Sequence, residues 1–161
     1  MSQTALADLR VLEIGQHIAA PYCAKLLADL GADVIKIERP GGDPLRQYGP
    51  CRDDRPDPEK SALFHYLNAN KRGLVLDLTT ESGRTKAIEL VTEADLVVAG
   101  QRAGQLEAWG LGLTSLSQAN PLVALVEISG FGQTGPYRDW SGLDLIVQAA
   151  GAWVSGHGVP D

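Results

Sequence analysis

Short apolar, β-favouring runs alternate with helical segments along the chain, and this alternation restricts the fold more than any other feature. Leu9 to Ile14 is the first such run, and it meets Gly15. Pro21 stands where a helix can begin without losing a needed N–H. That helix spans Ala20 to Leu30, with Leu26, Leu27 and Leu30 near one face, and Gly31 follows at a C-cap position. Asp33 to Glu38 alternates polar and apolar residues as a second strand, and Gly73 to Leu78 forms a third. Thr80 caps a helix that runs through Ala94, and Asp95 to Ala99 follows as a fourth strand, apolar enough to be buried on both faces. Short helices over Gly104 to Trp109 and Thr114 to Ala119 lead to a fifth strand, Leu122 to Ser129. A glycine-rich turn from Gly130 to Pro136 and a helix from Leu143 to Ala150 complete the pattern. Repeated βαβ units predict an open α/β fold, with a mainly parallel sheet covered by helices on both faces.

Residues 40 to 60 break the alternation. Gly41, Gly42, Pro44, Pro50, Pro56 and Pro58 mix with Asp53, Asp54, Asp57 and Glu59, which predicts an extended surface loop ordered against a partner or ligand. Alternation resumes beyond it, so the segment does not read as a domain linker, and 161 residues fit one compact domain. The net charge of −6 argues against broad binding to nucleic acid or anionic lipid. A phosphorylated ligand then needs a local basic patch, for which Arg39, Lys71, Arg72 and Arg102 are the candidates. No apolar window reaches the length that a bilayer demands, and the first residues lack the basic and apolar regions of a signal peptide. The expected compartment is the cytoplasm. Cys23 and Cys51 form no CxxC pair and suggest neither a disulfide nor zinc; Cys23 reads as a small core residue.

In open parallel sheets, ligands sit beyond the carboxyl ends of the strands. The informative segments are therefore Gly15 to Ala20, Arg39 to Gly42, Leu76 to Thr79, Gly100 to Gly104 and Ser129 to Gly135. The first opens a helix whose N-terminal amides can meet a phosphate, with His17 as a contact; the same residues also suit a helix start packed on the sheet. The G-x-G-x-x-G spacing and the P-loop lysine are both missing, which weakens an NAD or ATP reading. His17, His65 and His157 are isolated from other metal-ligating residue types, so no metal site is expected. Arg39 stands where a side chain reaches the ribose or adenine side of a nucleotide, or is simply solvated. Lys71 and Arg72 read as surface charge. Gly130, Gly132 and Gly135 allow a loop to close over a reactive intermediate, although a plain long turn uses the same residues. Asp144 is expected to N-cap the last helix. No Ser-His-Asp order, nucleophile elbow or paired-carboxylate signature is present. The residues by themselves reach a cytosolic α/β domain with a small-molecule site.

A set of segments carries a more specific likeness. They are Leu9-Arg10-Val11-Leu12-Glu13, Leu26 through Glu38 with Pro40 and Gly42-Asp43, Asn70-Lys71-Arg72 with Leu76-Asp77-Leu78, and Ala94 through Val98. Leu111-Gly112-Leu113, Asn120-Pro121 and Ile128 through Tyr137 complete the set. Together, in order and spacing, they resemble the family III CoA-transferases, the group that also contains the α-methylacyl-CoA racemases. The resemblance implies a Rossmann-like large domain that binds coenzyme A, of which residues 1–161 form the N-terminal part. It also implies a smaller domain further along and an interlocked homodimer. Such transferases use an aspartate carboxylate that attacks an acyl-CoA thioester and passes CoA to a carboxylic acid acceptor. By resemblance, the CoA contacts fall on His17, Ile18, Ala19, Arg39, Leu76, Thr79, Gly100, Gln101, Ser129 and Phe131. The nucleophile is expected beyond Asp161, so no catalytic residue is assigned within the chain. No tightly bound cofactor, metal, nucleic acid or membrane partner is implied.

Departures from the family pattern are confined to a few positions. The usual Asn-Phe-x-Pro-Gly stretch reads Gly100-Gln101-Arg102-Ala103-Gly104, Ala108 replaces a basic residue, and Thr79 stands where lysine is common. Arg102 is a candidate to compensate. Where the racemases have Gly-His-Asp, this chain has Gly142-Leu143-Asp144, and leucine cannot transfer a proton. A non-catalytic CoA-binding segment and a nucleotide-binding oxidoreductase domain remain as alternatives. The 161 residues alone are expected to lack transferase turnover and to self-associate through uncovered sheet surfaces.

Overall fold

A computed structural model of the chain describes residues 4–51, 55 and 57–156. Five strands form one sheet: β1 (Arg10–Gly15), β2 (Asp33–Glu38), β3 (Lys71–Val75), β4 (Leu96–Gly100) and β5 (Ala124–Glu127). Their order is β3-β2-β1-β4-β5, and every pairing is parallel. The chain starts in the middle of the sheet, winds outward through β2 and β3, then returns to build the other half from β4. The connections after β1 and β4 therefore leave in opposite directions, which opens a crevice between them.

Helices cover both faces: α1 (Ala19–Asp29), α2 (Ala62–Asn68), α3 (Glu81–Val91), α4 (Gln105–Ala108), α5 (Leu113–Ala119) and α6 (Asp144–Ala150). Leu12, Ile14, Val97 and Ala99 pack against Ala87 and Val91 of α3, Leu106 of α4 and Leu116 of α5. Val11, Val34 and Val98 turn the other way and meet Ala20, Ala24 and Ala28 of α1. The period of two within each strand makes both faces apolar.

On α1 the alanine stripe faces the sheet, whereas Leu26 and Leu30 are about half exposed. Alanines at a four-residue spacing let the helix backbone lie close to the strands. Gly31, at a φ of 103°, follows the C-terminal end of α1. Thr80 caps α3 by accepting a hydrogen bond from the Gly83 amide at 3.1 Å, and that helix ends at Val91 rather than Ala94.

Four further sequence expectations are corrected. The third strand begins two residues earlier than Gly73 and stops at Val75, because the Asp77 side chain accepts from the Thr79 amide and turns the chain before Leu78. The fifth strand is shorter than Leu122–Ser129; Leu122 donates its amide to Asn120 Oδ1 and lies outside the ladder. The tract from 40 to 60 is not simply extended. Asp43 caps a 3-10 turn over Pro44–Gln47, Cys51 bridges to Ser61, and Ser61 caps α2, a helix absent from the sequence reading. Asp53, Asp54 and Pro56 of that tract lie outside the described residues. Asp144 falls in the first turn of α6 and bonds Gln148, while the N-cap is Leu143 without a side-chain bond. Among the described residues, no helix is long and apolar enough to cross a membrane.

Candidate functional site

The parallel sheet brings five post-strand segments to one edge. In spatial order they carry Leu76 and Thr79 after β3, Arg39 after β2, and His17, Ile18 and Ala19 after β1; Gly100 and Gln101 then lie at the end of β4, and Ser129 and Phe131 after β5. All ten residues singled out from the sequence thus share the C-terminal edge. His17, Ile18, Ala19, Arg39 and Thr79 are exposed there.

Gly15 and Gly100 are register partners on β1 and β4, so they mark the switch point itself. A Cβ on Gly15 would stand 2.5 Å from the Ala20 methyl, and one on Gly100 would stand 2.7 Å from it. Only glycine at both positions lets the first turn of α1 seat directly over the crevice. That turn begins at Ile18, which makes no side-chain cap, and contains no acidic residue. An uncapped first turn presents amides and the positive end of the helix dipole to whatever lies in front of it. Gln101 reaches back across the crevice, its Nε2 donating to the Ile14 carbonyl at 3.3 Å.

Beneath that turn lies a buried group of charges. Lys36 Nζ contacts Glu13 Oε1 at 2.8 Å and Asp43 Oδ2 at 3.0 Å, and donates to the Gly15 carbonyl at 2.9 Å. Lys71 Nζ donates to Glu13 Oε2 and to the Pro21 carbonyl, each at 2.7 Å. The side chains of Glu13, Lys36, Asp43 and Lys71 are at most 2% exposed. Burial holds the Lys71 ammonium below its ordinary range, against the raising effect of the Glu13 carboxylate. Asp43 also accepts from the His17 amide at 3.3 Å, and His17 adopts a φ of 61°. Next to the cluster, Arg46 forks onto both oxygens of Glu38 at 2.8 Å. The Glu38 carboxyl sits below its ordinary range: burial opposes this, but the Arg46 fork, the Asp43 amide and nearby Lys36 outweigh it.

Lys71 is thereby corrected from surface charge to buried cation, while Arg72 is exposed and pairs with Asp33. Glu13, Lys36, Asp43 and Glu38 were missed as site-supporting residues. The available signal was parity: Val34, Lys36 and Glu38 alternate on one face of a strand whose Val34 is buried.

On the far side of the crevice, the glycine-rich turn is pinned at its base. A Cβ on Gly130 would stand 2.5 Å from Gly142 Cα, so the two backbones touch. Phe131 of the turn packs edge-on against Tyr137 and Trp140, which follow it and tilt against each other, with centroids 4.3–6.3 Å apart. Gln133 Oε1 accepts from the Gly104 amide at 3.3 Å, which links this turn to the segment after β4. Two surface depressions lie elsewhere. One of about 640 Å³ follows α3, and one of about 400 Å³ lies among Asp8, Arg10, Asp33, Glu93 and Asp95 at the opposite sheet edge. Neither receives the carboxyl end of a strand, so neither matches where an open α/β sheet holds its ligand.

Residues 6–161 match the profile described as CoA-transferase family III. The chain belongs to that family. It is 43% identical over 157 residues to a succinyl-CoA–D-citramalate CoA-transferase from Chloroflexus aurantiacus, covering 97% of this chain and 38% of that protein. A succinate–glutarate CoA-transferase from Agrobacterium fabrum is 42% identical over 159 residues, covering 97% and 40%. A CaiB/BaiF family protein from Brucella suis superposes with a TM-score of 0.87 at 39% identity, over 99% of this chain and 42% of that one. The family III chain therefore spans about two fifths of the length of these relatives.

Proposed function

We propose that this family III chain forms the CoA-holding part of an enzyme that moves coenzyme A between an acyl-CoA thioester and a carboxylic acid. The observation that carries the reading is the glycine-lined crevice at the switch point, with an uncapped helix start seated over it. In this reading the α1 first turn, with His17, Ile18 and Ala19, meets phosphate, and Arg39 meets the adenine or phosphate end. Leu76, Thr79, Gly100, Gln101, Ser129 and Phe131 flank the rest of the molecule. Among the described residues the buried Ser129 hydroxyl has no hydrogen-bond partner, which supports its place in this reading.

The nucleophile is assigned to an aspartate in sequence following Asp161. Its carboxylate attacks the thioester carbonyl and the C–S bond breaks, which leaves a mixed anhydride and CoA thiolate. The thiolate then attacks the aspartyl carbonyl, releasing the donor acid and forming an aspartyl-CoA thioester; the acceptor acid takes CoA by the reverse steps. The relatives are named for succinyl-CoA with D-citramalate and for succinate with glutarate, which supports a short dicarboxylate pair as substrates. An interlocked homodimer in the cytoplasm completes the proposal.

Calorimetric titration of the chain with CoA and with NAD tests the ligand. Binding of CoA and not NAD supports the reading; preference for NAD, or binding of neither, overturns it. Incubating these 161 residues with succinyl-CoA and glutarate should give no glutaryl-CoA, and turnover would overturn the assignment of the nucleophile to later sequence.

A further inference from the structure

We infer that Asp43 is a positioning residue for the turn after β1, locking it to the loop after β2 through a buried, charge-balanced cluster. The inference rests on the CoA reading for the ligand's identity, while the cluster itself stands on geometry.

Glu13 and Lys36 are register partners on β1 and β2 and share the α1 face with Val11 and Val34. An ammonium has three donors and no acceptor. Lys36 donates to Glu13 and to the Gly15 carbonyl, and its charge also stands 3.0 Å from the Asp43 carboxylate as an ion pair. Lys71 has three acceptors, on Glu13, Pro21 and Asn68. Two carboxylates and two ammonium groups cancel. Asp43 holds one oxygen against Lys36 and gives the other to the amides of His17 and Leu45, at 3.3 and 3.0 Å.

The backbone groups that the cluster reaches around α1 are the Gly15 carbonyl, the His17 amide and the Pro21 carbonyl. They bracket the turn that delivers the helix start to the crevice. His17 is a non-glycine residue in the left-handed region, and such a residue persists only where its surroundings over-determine it. The Asp43 carboxylate on its amide supplies that constraint. Asp43 belongs to the segment that follows Arg39, so the loops after β1 and β2 are fixed to each other by one side chain. A ligand bridging Arg39 and Ala19 meets two loops in a set relation rather than two independent ones.

The test compares Asp43→Ala and Asp43→Asn with Val91→Ala, a core control on the opposite sheet face, each studied where circular dichroism shows it folded. CoA affinity is read by calorimetry and the His17 amide by hydrogen exchange. D43A should weaken CoA binding by about tenfold or more and speed His17 exchange. D43N, which keeps an oxygen for the His17 and Leu45 amides, should recover part of both, and V91A should leave both unchanged. Equal effects of D43A and V91A, or no effect of D43A, overturn the positioning role. If the unsubstituted chain binds no CoA, the proposed function fails on its own, and the exchange rate of His17 still decides whether Asp43 fixes the turn.

Discussion

Adding one methyl at Gly100 measures how tightly the helix start is pressed onto the switch point. The new Cβ would lie 2.7 Å from the Ala20 methyl, whereas its next neighbours, Ala20 N and Gly15 Cα, are both at 3.7 Å. Carbon atoms rest at ~3.5–4.0 Å, so one methyl–methyl overlap of roughly 1 Å is the whole obstacle. Overpacking of this kind costs ~1–3 kcal/mol, offset by ~0.4–1 kcal/mol because alanine restricts the unfolded chain. Gly100→Ala alone should therefore destabilise by ~1–2 kcal/mol. Ala20→Gly alone loses up to ~1 kcal/mol of helix propensity and ~0.8 kcal/mol for a buried carbon. In the double variant the overlap is gone, so its cost should be no more than that of Ala20→Gly. The predicted coupling is ~1–3 kcal/mol in favour of the pair, read from urea unfolding of all four proteins. For a chain of this size each kcal/mol also moves Tm by ~2–4 °C. Costs that add to within ~0.5 kcal/mol would show that α1 does not press on Gly100 and would refute the argument.

Two further predictions concern pH. Burial and the neighbouring Glu107 push the Glu127 carboxyl above its ordinary 4.5. A raised carboxyl resists ionisation in the folded state, so stability falls as pH rises through 4.5 and stays lower at neutral pH. Glu127→Gln should raise Tm at about pH 7, with the gain vanishing near about pH 3.5; a gain of equal size at both contradicts the assignment. Glu38 behaves oppositely, because its lowered pKa stabilises the fold above 4.5 and that contribution is lost as pH falls through the lowered value. Glu38→Gln should cost ~1–3 kcal/mol at neutral pH by leaving Arg46 a neutral partner, and should flatten the acid limb of a stability–pH curve. An unchanged acid limb would exclude Glu38 as its source.

The strands in the centre of the sheet were legible and its margins were not. β1, β2 and β4 lie within about one residue of where the sequence puts them, because both faces of each are covered: apolar runs mark β1 and β4, and alternation marks β2. β3 lies at the sheet edge and begins with Lys71-Arg72, so the apolar signal starts late. α2 is only seven residues long, and its Ser61 cap follows directly on a Pro/Asp-rich tract that masks it. The edge that holds the candidate site followed from strand–helix alternation and the switch-point rule. The individual ligand contacts came from family likeness, since no spacing among them is distinctive. The cluster under the turn was legible only in part: parity sets Lys36 and Glu38 on the face of Val34, but does not supply their partners. Its bonds join Glu13 to Lys36 and Lys71, residues 23 and 58 positions away, and only the packing of α1 over them makes their burial evident.

The two faces of the sheet solve different problems. The α3–α5 face is closed by Leu12, Ile14, Val97, Leu106, Leu111 and Leu116, large apolar groups whose burial supplies most of the driving force. The α1 face pairs small alanines with Glu13, Lys36, Asp43 and Lys71. Desolvating four charges sets a large cost against their attraction, and an apolar cluster of the same volume is often as stable or more so. Stability therefore does not account for the choice. Geometry does: a hydrogen bond weakens steeply as its angle and length depart from the optimum, whereas apolar side chains tolerate repacking at similar energy. Directional bonds stand under the turn that opens on the crevice, and non-directional packing stands on the face away from it. On this division, trimming a core side chain of the α3–α5 face lowers the melting temperature and leaves the edge unaltered, while neutralising one charge beneath α1 changes the shape that a ligand meets.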